Sequence, residues 1–112
     1  MLNPITRHLE RYMDLLSARQ KLVATNIANA DTPGFKTRDI DFQTELRTEM
    51  DRISPRPLEI SGLTAKNDGN NVNLDRESRL LSENALRFQV ATNLMKTEIR
   101  TVKAAIQEGK SL

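Results

Sequence analysis

Few residues in this chain have the means to do chemistry, and their surroundings decide what chemistry is open to them. The single histidine, His8, stands among charged residues in "TRHLER", with no serine or cysteine that the local pattern would place against it. It reads as a solvated surface group, not a base with a nucleophile to activate. Asp39 and Asp41 follow Arg38 and can be drawn as an acid–base or metal pair. Capping of a following helix by Asp41, and a solvated loop, account for the same residues more simply. "NDGNNVNLDRE" has the outline of a calcium loop, but counting from Asp68 its fifth position is Val72 and its twelfth is Arg79. Both places require oxygen ligands, so that site fails. The glycines stand singly at positions 34, 62, 69 and 109, which leaves no phosphate loop, and the absence of cysteine removes disulfides and thiolate metal sites. We expect no catalytic residue, no cofactor, no metal and no small-molecule substrate, and hence not an enzyme.

One grouping is of another kind. In "NIANADTPGFK", Asn26 and Asn29 sit one helical turn apart and Thr32, Pro33 and Gly34 then end the helix. Two amides on one face can donate and accept toward a neighbour's backbone or side chains, while Ala24 and Ala28 let that neighbour come close. Asn26 is expected to make such an intersubunit contact. Asn29 has two readings, an intersubunit contact or a bond that finishes its own helix and redirects the loop.

The elements that would carry these residues are two long helices around a polar middle. Asn3 caps and Pro4 opens the first, which is expected to reach Ala30 or Asp31. Along it Leu2, Ile5, Leu9, Tyr12, Leu16, Arg19, Val23, Asn26 and Ala30 alternate spacings of three and four, a heptad seam. The second is expected to start at Asp75 as cap, with Glu77 favouring the dipole, and to run to Gly109. Its expected seam is Leu81, Ala85, Phe88, Thr92, Met95, Ile99, Val102 and Ile106. Two such stripes bury most simply against each other, so the fold class is all-α: an elongated body whose terminal helices pair as an antiparallel coiled coil. The chain then divides into an N-terminal coiled-coil helix (residues 1–30), a signature loop, short helix and flexible middle (31–74) and a C-terminal coiled-coil helix (75–112). In the middle, "DFQTELRTEM" predicts a short helix capped by Asp41 with Phe42, Leu46 and Met50 on one side. "LEISGL" predicts a short strand, and "KNDGNNVN" a turn or mobile loop.

Bulk properties agree with a thin structural chain. Its 112 residues are 38% apolar and only 4% aromatic, enough for a modest core. Seventeen Lys and Arg against fifteen Asp and Glu leave a charge of +2, too small and dispersed to track phosphates, so no nucleic acid is expected. No apolar run has signal-peptide or membrane-span length, and export would need a dedicated route.

Asn26, Ile27, Ala28, Asn29, Thr32, Pro33, Gly34 and Phe35 together resemble the N-terminal signature of the bacterial flagellar axial proteins. "KTRDIDF" and "NVNLDRESRLLSENALRFQ" are similar to the basal-body rod branch of that family, and 47–70 is short for it. The resemblance implies a structural subunit of the proximal rod in the periplasmic space, polymerising through its terminal helices to join the inner-membrane base to the drive shaft. It implies as partners other copies of itself, adjacent rod proteins, the rod-base adaptor at the inner-membrane ring and the flagellar type III export apparatus, with export lacking a cleaved signal peptide. Phe42 and Leu46 match the Phe-x-x-x-apolar element read by the export gate; simple packing of a short helix is the other reading. The alternative function is a soluble helical adaptor or export chaperone that holds a partner helix along an open seam.

Overall fold

The computed structural model describes residues 3–47 and 55–111. Leu2 and Met50, expected on apolar faces, lie outside the described residues. In chain order the elements are α1 (Pro4–Ala28), β1 (Arg38–Ile40), α2 (Phe42–Arg47), β2 (Pro57–Glu59) and α3 (Leu74–Ser111). They form an elongated body of 71 × 26 × 18 Å in which α1 and α3 lie side by side and antiparallel, as expected. Among the described residues no helix is long and apolar enough to cross a membrane.

Local sequence explains both helix starts. The Asn3 side chain accepts from the Thr6 N–H at 2.8 Å, and Pro4 follows, where a missing N–H costs nothing. At α3 the cap is Asn73 and not the expected Asp75: its side chain accepts from the Arg76 N–H at 3.0 Å, two residues earlier than the charge pattern suggested. Glu77 does fall in the first turn. Asp41 caps α2 as expected. Thr44 donates its hydroxyl and its backbone N–H to the Asp41 carboxylate, and these bonds hold that carboxyl below its usual pKa.

Three helical ties set the pairing. Asn26 meets Glu77, Gln20 meets Asn84 and Asn3 meets Glu98. On α3 these partners are seven residues apart, and Ala91, 1% exposed, completes the series. The side of α3 that faces α1 is therefore a polar and small-residue line. The apolar line expected to do so is rolled to the flank: Leu81, Phe88, Ile99 and Ile106 are exposed, while Met95 and Val102 are half-buried. On α1 the expected seam holds at Leu16 and Val23, which are buried, and in part at Leu9 and Tyr12; Ile5 is exposed. The physical reason is that a buried carboxylate at Glu77 must be hydrogen-bonded, and the bond to Asn26 fixes the rotation of α3. Nor are the helices matched in length. Asn3 reaches Glu98, so 99–111 runs past the start of α1 by about 20 Å at 1.5 Å per residue.

The middle segment departs further from expectation. The loop "KNDGNN" takes the turn reading and not the mobile one: the Gly69 N–H donates to the Lys66 carbonyl at 2.8 Å, Asn70 is fully buried and Asn71 nearly so. The Asn70 amide donates to the Asn29 and Thr32 carbonyls at 2.9 and 2.8 Å, and Lys66 Nζ donates to the Ala30 carbonyl at 3.0 Å. These carbonyls belong to the turn after α1, which stops at Ala28, two residues sooner than the apolar pattern; those of Asn29 and Thr32 also accept from the Thr32 and Phe35 N–H groups. Gly34 and Gly69, both at positive φ, let the two loops close on each other, with the Gly34 N–H donating to the Asp68 carbonyl at 2.9 Å. Asn71 takes the next rung, accepting from the Thr37 N–H at 2.7 Å. Strand β1 was not foreseen. It pairs antiparallel with β2, which begins one residue before the expected strand, with Asp39 opposite Leu58. The two-stranded patch lies against α1 and buries Ile40.

Asn70→Ala removes the amide that bonds two carbonyls of the turn after α1. It should destabilise the chain by about 1–3 kcal/mol, from two lost hydrogen bonds at about 0.5–1.5 kcal/mol each. Chemical denaturation of the purified protein measures this, and an unchanged midpoint would show the loop to be dispensable.

Candidate functional site

Of the residues singled out by the Asn26–Asn29 spacing, Asn26 stands in a buried joint between α1, β1 and the first turn of α3. Asn26 is 1% exposed. Its amide nitrogen donates to Glu77 Oε1 at 2.6 Å and to the Arg38 carbonyl at 2.9 Å, and its oxygen accepts from the Arg38 N–H at 3.2 Å. Both donor hydrogens and an acceptor site are thus used within the chain. The expectation that Asn26 bonds a neighbouring subunit is corrected: the residue ties three elements of its own fold together.

Charge continues from that amide. Arg76 donates to Glu77 Oε2 at 2.6 Å and to Asp39 Oδ2 at 2.7 Å; Arg19 grips Asp39 through Nε at 3.0 Å and Nη2 at 2.8 Å. Asp39 also accepts from the Ile40 N–H at 2.7 Å. Two carboxylates and two guanidinium groups alternate, so the joint is neutral and its buried oxygens are bonded, the condition under which buried charge is tolerated. Burial alone works against the charge on Arg76. The bonds from Glu77 and Asp39 outweigh it and hold the guanidinium above its ordinary pKa.

The remaining candidates fall elsewhere. Asn29 takes its intrachain reading: its amide donates to the Thr25 carbonyl and its oxygen accepts from the Thr32 hydroxyl, each at 2.9 Å. Thr32, Pro33 and Gly34 form an exposed turn, with Ala28 exposed and Ile27 and Phe35 half-buried behind it. Phe42 packs edge-on to Tyr12, ring centroids 5.4 Å apart, under the Arg19 guanidinium, and Leu46 is exposed at the edge of α2. His8 is exposed on α1, and among the described residues no three His, Cys, Asp or Glu side chains gather as a metal site.

The same residues carry the likeness to known proteins. A family model described as "Flagella basal body rod protein" matches residues 8–36, the stretch holding Arg19, Asn26 and the Thr32–Gly34 turn. Beyond it, the chain is 30% identical to the flagellar basal body rod protein FlgB of Escherichia coli K12, over 96% of each chain. The chain belongs to the FlgB family. FlgB of Yersinia ruckeri is 29% identical over 92% of this chain and 93% of the relative, and FlgB of Borrelia hermsii 30% over 87% and 91%. The 133 aligned positions with the Escherichia coli FlgB exceed the 112 residues here, so that alignment opens gaps in this chain.

What sequence reasoning missed in this FlgB-family chain is the partner of Asn26. Glu77 reads locally as a first-turn acid suited to the helix dipole, and nothing at a separation of 51 residues marks it as buried. A polar residue on a heptad seam, as Asn26 is, was the one available signal that a polar partner stood opposite.

Asn26→Leu should therefore weaken the free subunit. It strands the Glu77 carboxylate and the Arg38 carbonyl, at a cost of about 1–3 kcal/mol. Equilibrium unfolding followed by circular dichroism tests this; a more stable Leu variant would mean the amide is a flaw in an otherwise apolar seam.

Proposed function

We propose that the chain is a structural subunit of the proximal flagellar rod, which polymerises through its two terminal helices to join the inner-membrane base to the drive shaft. Membership of the FlgB family supports the rod, and one observation carries the role of the helices. The apolar residues of α3 spread around more than half its circumference at 100° per residue, but α1 covers one side only. Leu86, Phe88, Val90, Leu94, Ile99 and Ile106 are each between 41% and 64% exposed. Covering a large aliphatic side chain fully is worth about 1.5–3 kcal/mol, so several such residues per subunit supply a strong drive to associate. Neighbouring copies and adjacent rod proteins are the partners, together with an adaptor at the inner-membrane ring. The Thr32–Gly34 turn, held out by the buried loop behind it, offers these neighbours a rigid contact. Catalysis has no part in this role.

Export through the flagellar type III apparatus, without a cleaved signal, belongs to the same proposal, with Phe42 and Leu46 as the gate element. Leu46 is exposed, whereas Phe42 is half-buried against Tyr12, so the element becomes fully readable when α2 is not docked on α1.

Two experiments test these statements. Leu94→Asp alters an exposed site and should change monomer stability by no more than about 0.5 kcal/mol. It should nonetheless abolish recovery of the chain in purified basal bodies, while the unaltered chain is recovered there; recovery of the variant at normal levels would remove that face from the assembly. For export, Phe42→Ala with Leu46→Ala should lower secretion several-fold, while Tyr12→Ala, which loosens the same packing but keeps the element, should not. Equal secretion of all three would leave Phe42 and Leu46 with packing alone.

A further inference from the structure

Helix α2 is the element of this fold least able to hold itself. At six residues it is well short of the length at which a helix persists alone in water, so it keeps its shape only while docked on α1. Side chains of α1 dock it. Arg11 Nη2 lies 3.4 Å from the Glu45 carbonyl and 3.6 Å from its carboxylate, the Tyr12 ring meets the Phe42 ring edge-on, and the Arg19 guanidinium carbon stands 5.9 Å from the centre of the Phe42 ring. Arg19 belongs to the buried joint as well. Its grip on Asp39 through Nε and Nη2 sets the plane it offers to that ring, and Asp39, 3% exposed, is held in turn by Arg76 of α3. The backbone repeats the connection, since Asp41 alone separates β1, which carries Asp39, from α2.

We propose that docking of α3 governs docking of α2 through Arg76, Asp39 and Arg19, so that Phe42 is packed away only in a subunit whose two long helices have already paired. This deepens the export reading of Phe42 and Leu46, and rests on it for the consequence in the cell alone. With α3 in place, Asp39 is shut from water, and neither guanidinium can leave it without stranding a buried charge. With α3 away, the place of Arg76 opens to solvent, and a hydrated pair such as Arg19–Asp39 holds its geometry only weakly. The Asn26 amide, which bonds both backbone groups of Arg38 in β1, loses Glu77 at the same moment. The strand and the Arg19 plate can then both shift, and α2 has no length of its own with which to resist. Chain order gives the coupling a direction in time. Residues 38–47 are made before Arg76, so Phe42 is open in the emerging chain and closes as the subunit is completed.

Tyr12 is the only tyrosine and the chain has no tryptophan, so tyrosine fluorescence reports the α1–α2 contact without a label. In the full-length chain, Arg76→Met removes the α3 end of the connection, whereas Asn84→Ala breaks the Gln20 tie elsewhere on the same helix pair. Hydrogen exchange of residues 42–47, read by mass spectrometry, and acrylamide quenching of Tyr12 are measured on both. We expect Arg76→Met to speed exchange in α2 several-fold and to raise quenching, and Asn84→Ala to change neither. Equal responses from the two variants would overturn the coupling, because α2 would then follow any loosening of the pair; so would α2 exchange that ignores Arg76→Met. Should that variant fail to fold, Arg76→Lys, which keeps the charge and loses the fork, is judged against Asn84→Ala in the same way. The effect must also run in reverse, as any linkage does. Phe42→Ala should speed exchange several-fold in residues 76–82, at the start of α3, and a change confined to α2 would overturn the proposal. Normal secretion of the Phe42→Ala, Leu46→Ala chain, where α2 still responds to Arg76, would remove the export reading and leave the coupling standing.

Discussion

The bond from Asn26 to Glu77 governs the rest of this structure. A carboxylate with no exposed surface has to be paired, and only one rotation of α3 about its axis brings Glu77 to Asn26 and Arg76 to Asp39 together. That rotation places Asn84 against Gln20 and Glu98 against Asn3, and so fixes the register over the whole length of α1. Through Arg38 and Asp39 the same cluster holds β1, which in turn holds β2. Polar groups at a helix seam reduce stability relative to well-packed apolar ones, and what they supply in return is a single permitted pairing.

A subunit built this way is stable enough to exist and is left unfinished. Its fully buried apolar side chains are few, chiefly Leu15, Leu16, Val23, Ile40 and Ala91, and much of its remaining internal order comes from hydrogen bonds. The large apolar residues of α3 are spent elsewhere, on flanks that none of the described residues covers. Had the apolar line of α3 faced α1, both stripes would have been consumed within one molecule and little would remain to drive association. The polar seam and the apolar flanks are two results of one choice of rotation.

Much of the architecture could be read from sequence because it depends on near neighbours. Asn3 before Pro4, the Thr-Pro-Gly stop and the Asp41 cap act within a few residues, and the 3-4 spacings gave both helices and their pairing. Rotation was another matter. Leu81, Phe88 and Ile99 have the stronger periodicity, and a periodicity argument assigns the strongest stripe to the nearest partner; it gives no weight to a buried carboxylate 51 positions from its amide. The Asn70–Asn71 loop was missed for a related reason. Asn, Asp and Gly favour turns whether the turn is exposed or buried, so composition cannot distinguish a loose loop from one whose amide bonds the turn after a helix. At the candidate site the sequence located Asn26 and Asn29 but assigned Asn26 to a neighbour, because an unpaired seam amide looks the same from one strand of evidence whichever molecule supplies its partner.

The two classes of contact also differ in how they resist error. If α1 and α3 paired through interchangeable apolar side chains, the α3 of one copy could displace that of another, and the helices could slip by a turn at small cost. A slip by one heptad here would bring Asn84 to Asn26 and leave Glu77 buried without its amide, a penalty of the size that unsatisfied buried charge carries. Exchange of the whole helix between copies faces the further barrier that β1 must release Asp39 from Arg76. Intramolecular pairing is thus selected by hydrogen-bond chemistry, while the proposed association among subunits draws on apolar area, which is less particular about partner but ample in amount. Separating the two lets the joint be complete before the flanks are covered, so that the surface presented for assembly is already rigid when a neighbour reaches it.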